Sequence, residues 1–163
     1  MALISKIQNK GAAMSAIKET IEISRRPEDV YAYVTDPARM GEWQEGVVSV
    51  RSTDDTAPHV GSKTVVTRRV NQREFTMTTQ IDEMDPPRSF KAHGLDGPVR
   101  PHFAAVIEPL DEGRRSRVTM SLDFETHGMG KVIAPLLLRP HARKEFPRNE
   151  QRLKEILEGG TEP

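Results

Sequence analysis

The chain has 163 residues, 36% of them hydrophobic, and its 24 basic side chains balance its 24 acidic ones. This length is typical of one domain that buries a core without covalent cross-links. A formal net charge of zero gives no general attraction to nucleic acid or to an anionic membrane, and the absence of cysteine excludes disulfides and thiolate metal sites. No apolar run approaches the ~18 residues of a membrane span. We therefore expect a soluble cytoplasmic protein with neither membrane insertion nor nucleic-acid binding.

The amino-terminal residues do not form a convincing signal peptide, because they carry lysines without an adequate apolar stretch. Met14 follows a low-complexity junction and is a candidate for the true start. We therefore interpret residues 1–14 as a disordered or artefactual leader, residues 15–158 as a single domain and residues 159–163 as a tail.

The first predicted elements are a strand and two short helices. Ile21 and Ile23 alternate with polar residues, as in a half-buried strand. Pro27 suits the first turn of a helix, where its missing N–H is not needed. Asp36-Pro37 ends that helix, because the residue before proline is disfavoured in the α region. A second short helix then carries Trp43, the only tryptophan of the chain.

Six further strands are predicted from alternating apolar residues between turn signals. They cover residues 47–51, 62–70, 73–84, 89–93, 100–110 and 117–125. One face of this antiparallel sheet is apolar and the other polar, so one face must be covered. The covering element is a helix over residues 128–157, ended by Gly159-Gly160. Its interior prolines predict a bend or break between Leu138 and Pro147.

The order of a strand, the segment PEDVYAYVTDPARMGEW and a run of strands resembles the START-like superfamily of helix-grip proteins. This superfamily is also called SRPBCC or Bet v 1-like, and the similarity is to its polyketide cyclase/dehydrase and lipid-transport branch. The resemblance extends over residues 15–158 and implies an α+β fold. In that fold a curved antiparallel sheet of about seven strands wraps around a long C-terminal helix, with two short helices after the first strand. An internal cavity between sheet and helix is also implied.

The resemblance and the strand alternation together predict which residues line this cavity. They are Tyr33, Trp43, Arg68, Phe75, Met77, Thr79, Phe103, Met120, Phe124 and Leu136. Tyr33, Trp43 and Arg68 match the residue types that such cyclases use. An arginine directed into an apolar pocket would bind a carboxylate or polarise a carbonyl, because burying it unpaired is prohibitive. The alternatives are core packing for the two aromatic residues and an Arg68 that reaches solvent.

No motif predicts a metal or a cofactor. His93 and His102 lie on adjacent predicted strands, but no carboxylate is placed beside them by the pattern, and alternation directs both away from the apolar face. The chain has neither a G-x-S-x-G elbow nor a Gly-rich phosphate loop. In the last helix, Glu145, Glu150 and Glu155 alternate with basic residues, which is typical of a solvated face.

Three functions are compatible with these observations. The leading one is binding of a hydrophobic small molecule, such as a polyketide, an aromatic, a lipid or an isoprenoid-like compound. The predicted inward face offers few titratable groups, which favours binding over turnover. A cofactor-free cyclase or dehydratase is nevertheless an alternative, because shape and a few hydrogen bonds can fold a reactive chain. The third is a co-chaperone-like interaction module with a collapsed cavity.

The segment PLLLRPH, residues 135–141, contains three consecutive leucines, which one helix face cannot bury together. One of the leucines must therefore meet the first helices, a ligand or another chain. A homodimer formed through Leu136–Leu138 is a minority hypothesis.

Overall fold

The computed structural model of the chain describes residues 16–159, so the interpretations of Met14, of the leader and of most of the tail lie outside the described residues. The first strand, β1, covers Ile17–Ile23. Helix α1 covers Pro27–Val34, and a 3₁₀ turn over Pro37–Arg39 leads into helix α2, Met40–Trp43. The two short helices predicted after the first strand are therefore confirmed.

Six further strands complete one sheet. They are β2 (Val47–Ser52), β3 (Lys63–Val70), β4 (Arg73–Asp85), β5 (Ser89–Gly94), β6 (Val99–Leu110) and β7 (Arg115–Thr126). The spatial order is β1-β7-β6-β5-β4-β3-β2, and every neighbouring pair is antiparallel. Each predicted strand matches an observed one to within two residues at either end. Asn71 and Gln72 form the predicted hairpin turn, both with positive φ angles as a two-residue turn requires.

The closing helix is continuous but irregular. It begins as α3 (Gly130–Ile133), widens into a π turn over Ala134–Leu138 and continues as α4 (Arg139–Gly159). Of the bend or break predicted between Leu138 and Pro147, the break is wrong, since α4 passes through Pro147. The irregularity lies one turn earlier, where a wider turn accommodates the proline rings that would clash with a regular α-helix.

The core lies where α1 and α4 pack on the apolar face of the sheet. Val30 from α1, Ile107 and Val118 from the sheet and Leu153 from α4 are all almost completely buried. Burial of side chains of this size stabilises the fold by roughly 1.5–3 kcal/mol each. Helix α4 is therefore anchored in the core through Leu153 in its carboxyl-terminal half.

Gly130 sets how closely the start of the closing helix approaches the β5–β6 connection. A Cβ atom at this position would lie 1.9 Å from the carbonyl oxygen of Pro98, which is backbone and cannot rotate away. We expect Gly130→Ala to lower the free energy of unfolding by about 2 kcal/mol, as overpacking does. Urea denaturation measures this, with Gly159→Ala as control, because nothing lies within 4 Å of a Cβ there. Equal stability of the two variants would contradict the prediction.

Candidate functional site

The sheet and the closing helix enclose a cavity of about 260 Å³. This volume is slightly below the roughly 300–1,000 Å³ of typical ligand pockets, so a small ligand fits it best. Apolar residues form most of its wall, and beyond those predicted from sequence they include Val34, Met40, Val66, Val70, Phe90, Ala92, Leu122, Ile133, Leu138 and Phe146. The wall therefore suits a mainly hydrocarbon or aromatic molecule.

Seven of the ten residues predicted to line the cavity do so. They are Trp43, Arg68, Phe75, Met77, Thr79, Phe103 and Phe124. The alternation of β3, β4, β6 and β7 places six of them, and Trp43 comes from α2. Their positions agree with the prediction, and their contact with a ligand stays a prediction.

Three predicted residues lie outside the cavity wall. The Tyr33 hydroxyl donates to the Glu42 carboxylate, and the Arg39 guanidinium lies over the Tyr33 ring, 5.2 Å from its centroid. Desolvation, with Glu42, raises the pKa of Tyr33 to about 12, so the phenol keeps its proton. Met120 is completely buried in the core, and Leu136 is 76% exposed on the outer face of the closing helix.

A polar cluster forms one part of the cavity wall. The Arg68 Nη1 atom lies 3.2 Å from Glu145 Oε1, and Arg68 Nη2 donates to Gln44 Oε1. The same Glu145 carboxylate lies 2.6 Å from His141 Nε2 and accepts a hydrogen bond of 3.1 Å from Asn149 Nδ2. Asn149 Oδ1 in turn accepts from the backbone N–H of Glu45 at 2.9 Å. The cluster thus joins α4 to β3 and to the segment after α2.

The cluster is built around a buried, ionised carboxylate. Desolvation alone would raise the pKa of Glu145, but the charge of Arg68 and the hydrogen bonds from Asn149 and His141 outweigh it, and the pKa lies below its usual range. Desolvation lowers the pKa of Arg68 against the opposing attraction of Glu145. A guanidinium nevertheless stays protonated in proteins, so the two groups form an ion pair.

A second hollow, of about 280 Å³, adjoins this cluster. Glu45, Gly46, Val47, Val48 and Arg69 line it, and His141 and Glu145 belong to both walls. Gly46 lies close to the Glu145 carboxylate: a Cβ atom at position 46 would lie 3.1 Å from Glu145 Oε2. The lack of a side chain at position 46 therefore lets the carboxylate occupy its place.

His93 and His102 lie side by side across β5 and β6, with ring centroids 5.7 Å apart and nearly parallel planes. Each has its own carboxylate partner, Asp82 at 2.6 Å from His93 Nδ1 and Glu125 at 3.0 Å from His102 Nε2. His93 also reaches the cavity wall, contrary to the outward direction predicted from alternation. Within residues 16–159, no group of three or more histidine, aspartate or glutamate side chains is placed to hold a metal ion.

Comparison with protein families identifies the chain. The family model described as polyketide cyclase/dehydrase and lipid transport matches residues 14–158. The chain belongs to this family. A comparison with curated proteins gave no significant match. None of the helices in the described part of this family member is both long and apolar enough to span a membrane.

Solved structures support the helix-grip fold of this family member. A Thermus thermophilus protein, TTHA0849, has a TM-score of 0.73 at 15% identity, covering 91% of this chain and 100% of that one. The protein Ara h 8.0201 has a TM-score of 0.61 at 17% identity, covering 89% of this chain and 95% of that one. The di-domain ARO/CYC protein BexL from the BE-7585A biosynthetic pathway gives 0.68 at 16% identity. The match covers 92% of this chain and 48% of BexL, so the chain spans about half of that protein.

The four polar residues that join Arg68 in the wall cluster of this family member were not predicted from the sequence: Gln44, His141, Glu145 and Asn149. The last three are spaced by four residues, which places them on one helical face. That face was interpreted as solvated, but Glu145 and Asn149 are each only 5% exposed. The available signal was that Glu145 directly precedes the apolar Phe146 and that Asn149 lies one helical turn before Leu153.

Proposed function

We propose that this protein binds a small, mainly apolar molecule in the cavity between the sheet and the closing helix. The observation that carries this proposal is an apolar cavity of about 260 Å³ with one polar cluster in its wall. An apolar wall supplies affinity, and a few fixed polar groups set the orientation of a ligand. A compact polyketide, aromatic or isoprenoid-like compound has this combination of properties.

Trp43 supports the proposed binding independently, and its fluorescence can report ligand binding. Its side chain is 2% exposed and lines the cavity, and its Nε1–H has no hydrogen-bond partner among the described residues. A buried donor without a partner is costly, so a ligand with an acceptor near this indole would be stabilised by accepting a hydrogen bond from Trp43 Nε1–H.

Ligand binding is tested by titration with small aromatic, isoprenoid and fatty compounds while tryptophan emission is recorded. We expect saturable quenching or a blue shift at stoichiometric ligand, because Trp43 is the only tryptophan. Ala92→Leu should weaken binding at least tenfold by filling the cavity. Ala104→Leu is the matched control, since Ala104 neighbours the inward Phe103 on β6 and therefore projects from the other face.

If no compound changed the tryptophan emission or the thermal stability of the protein, the proposal would be contradicted and a protein-interaction module would be favoured. Equal loss of binding in the two alanine variants would show that the signal comes from a surface site rather than the cavity.

A second candidate function is cofactor-free cyclisation or dehydration in the same cavity. The observation that favours it is the His141 imidazole in the cavity wall, held 2.6 Å from the Glu145 carboxylate. An imidazole oriented by a carboxylate is a common general acid or base. Product formation from a bound poly-carbonyl compound tests it: loss of turnover in His141→Gln with binding retained would support an enzyme, and unchanged turnover would exclude a role for His141.

A further inference from the structure

We propose that the cavity selects an uncharged ligand that carries a hydroxyl group at the Arg68–Glu145–His141 cluster, and that it discriminates against carboxylates. This inference rests on the proposed binding function and names the chemical class of its ligand. It differs from the sequence-based expectation that Arg68 would bind a ligand carboxylate. Two features of the wall support it independently: its charges and the hydrogen-bonding groups that have no partner among the residues that the structure describes.

The charges of the cavity wall do not favour an anion. Three residues of the wall other than histidines carry a charge: Arg68, Glu145 and Asp96. Arg68 has its carboxylate partner already, Glu145 at 3.2 Å, and that partner is buried. Asp96 adds a second negative charge at the exposed rim. A ligand carboxylate would therefore meet one cation and two carboxylates, and would have to compete with a pair that is shielded from water.

The remaining hydrogen-bonding capacity fits a hydroxyl group. Both oxygens of Glu145 are occupied, Oε1 by Arg68 and Asn149 and Oε2 by His141 Nε2. Arg68 uses Nη1 toward Glu145 and Nη2 toward Gln44, and a guanidinium has five N–H donors in total, so donors remain. His141 directs Nε2 at the carboxylate, and its Nδ1 makes no hydrogen bond to another described residue.

A neutral imidazole that donates through Nε2 presents an acceptor at Nδ1. The cluster thus offers both donors and an acceptor. A hydroxyl group has one donor and two acceptor lone pairs and can satisfy both sides, whereas a carboxylate is acceptor-only and would leave the imidazole acceptor facing a negative charge. An alcohol or a phenol on an apolar skeleton is the chemistry that matches.

The test compares naphthalene, 2-naphthylmethanol and 2-naphthoate by isothermal calorimetry at pH 7.5. We expect the alcohol to bind at least tenfold more tightly than the acid and more tightly than the hydrocarbon. In Glu145→Gln, which leaves Arg68 without its carboxylate, the acid should gain at least tenfold relative to the alcohol. Glu155→Gln, on the exposed side of the same helix, is the matched control and should keep the original preference.

Each result separates this inference from the proposed function. If the acid binds as tightly as the alcohol, or more tightly, the inference is overturned while cavity binding stands. If the hydrocarbon, the alcohol and the acid all fail to bind, the proposed function fails and the inference with it. If Glu145→Gln does not fold, Arg68→Gln replaces it. The alcohol should then bind more weakly because it loses the Arg68 donors, and the acid should weaken more than the alcohol because Glu145 is left without its cation. An acid that binds more tightly to Arg68→Gln than to the wild type would contradict the charge argument.

Discussion

Replacing Glu150 with glutamine is expected to stabilise the protein at pH 7 and above and to remove a pH dependence of its stability. Glu150 is only 1% exposed on α4, and neither of its carboxylate oxygens has a hydrogen-bond partner within residues 16–159. Desolvation, with a smaller contribution from Glu19, raises the pKa of Glu150 from 4.5 to about 8. The folded protein therefore holds a proton at neutral pH that the unfolded chain has released.

The sign of the effect follows from that proton. Between pH 4.5 and 8 the folded state binds more protons than the unfolded state, so the free energy of unfolding falls as pH rises. A shift of this size corresponds to about 5 kcal/mol once both states are ionised. That is a large part of the 5–15 kcal/mol typical of a whole domain.

Urea denaturation of wild type and Glu150→Gln at several pH values measures the difference. Plotted against pH, the free energies of unfolding of the two proteins should diverge progressively from about pH 5 to pH 8. Glu155→Gln is the control, because Glu155 is exposed on the same helix, and its difference from wild type should stay below about 0.5 kcal/mol at each pH. A constant difference between wild type and Glu150→Gln would contradict the raised pKa.

Removing one partner of the Arg68–Glu145 pair is expected to cost more than removing both. The Glu145 side chain is 7% exposed and that of Arg68 is 26% exposed, so Arg68→Met leaves a carboxylate that water can barely reach. We expect a loss of about 3 kcal/mol, at the lower end for buried pairs because Arg68 is partly exposed. The Arg68→Met/Glu145→Met double variant should be more stable than Arg68→Met alone, since it leaves no unpaired charge.

A double-mutant cycle by urea denaturation at pH 7 gives the coupling between the two residues. Arg69 provides the matched control: it follows Arg68 on β3 and lies 2.8 Å from Glu74, but both side chains are at least half exposed. Arg69→Met should cost less than about 1 kcal/mol. Similar losses in Arg68→Met and Arg69→Met would show that the buried pair has no special role.

The sheet and the direction of Arg68 could be predicted because strand alternation has a period of exactly two residues, which assigns a face to each position once the ends are known. The buried face of the closing helix was harder to predict from the sequence. The pattern there shows which residues share a face, but not how far the sheet wraps around it. Glu145 and Glu150 were therefore interpreted as solvated, although both are buried.

The π turn explains the misplacement of Leu136. Predicting one apolar stripe along the whole helix assumes a regular α-helical phase. A π turn contains more residues than an α turn, so residues before and after it no longer continue the same stripe. Leu138 consequently lines the cavity, whereas Val132 and Leu136 are exposed. No local signal in three consecutive leucines distinguishes these outcomes.

The close approach of Gly46 to Glu145 has a consequence for how ligand preference can change. Any side chain at position 46 would press on the carboxylate that neutralises Arg68, although Gly46 is not part of the cavity wall itself. The charge that a ligand meets is thus adjustable from a backbone position that the ligand never touches. A mutagenesis screen for altered ligand specificity that varied only the wall residues would leave out this position. Even Gly46→Ala would bring a methyl group against the Glu145 carboxylate.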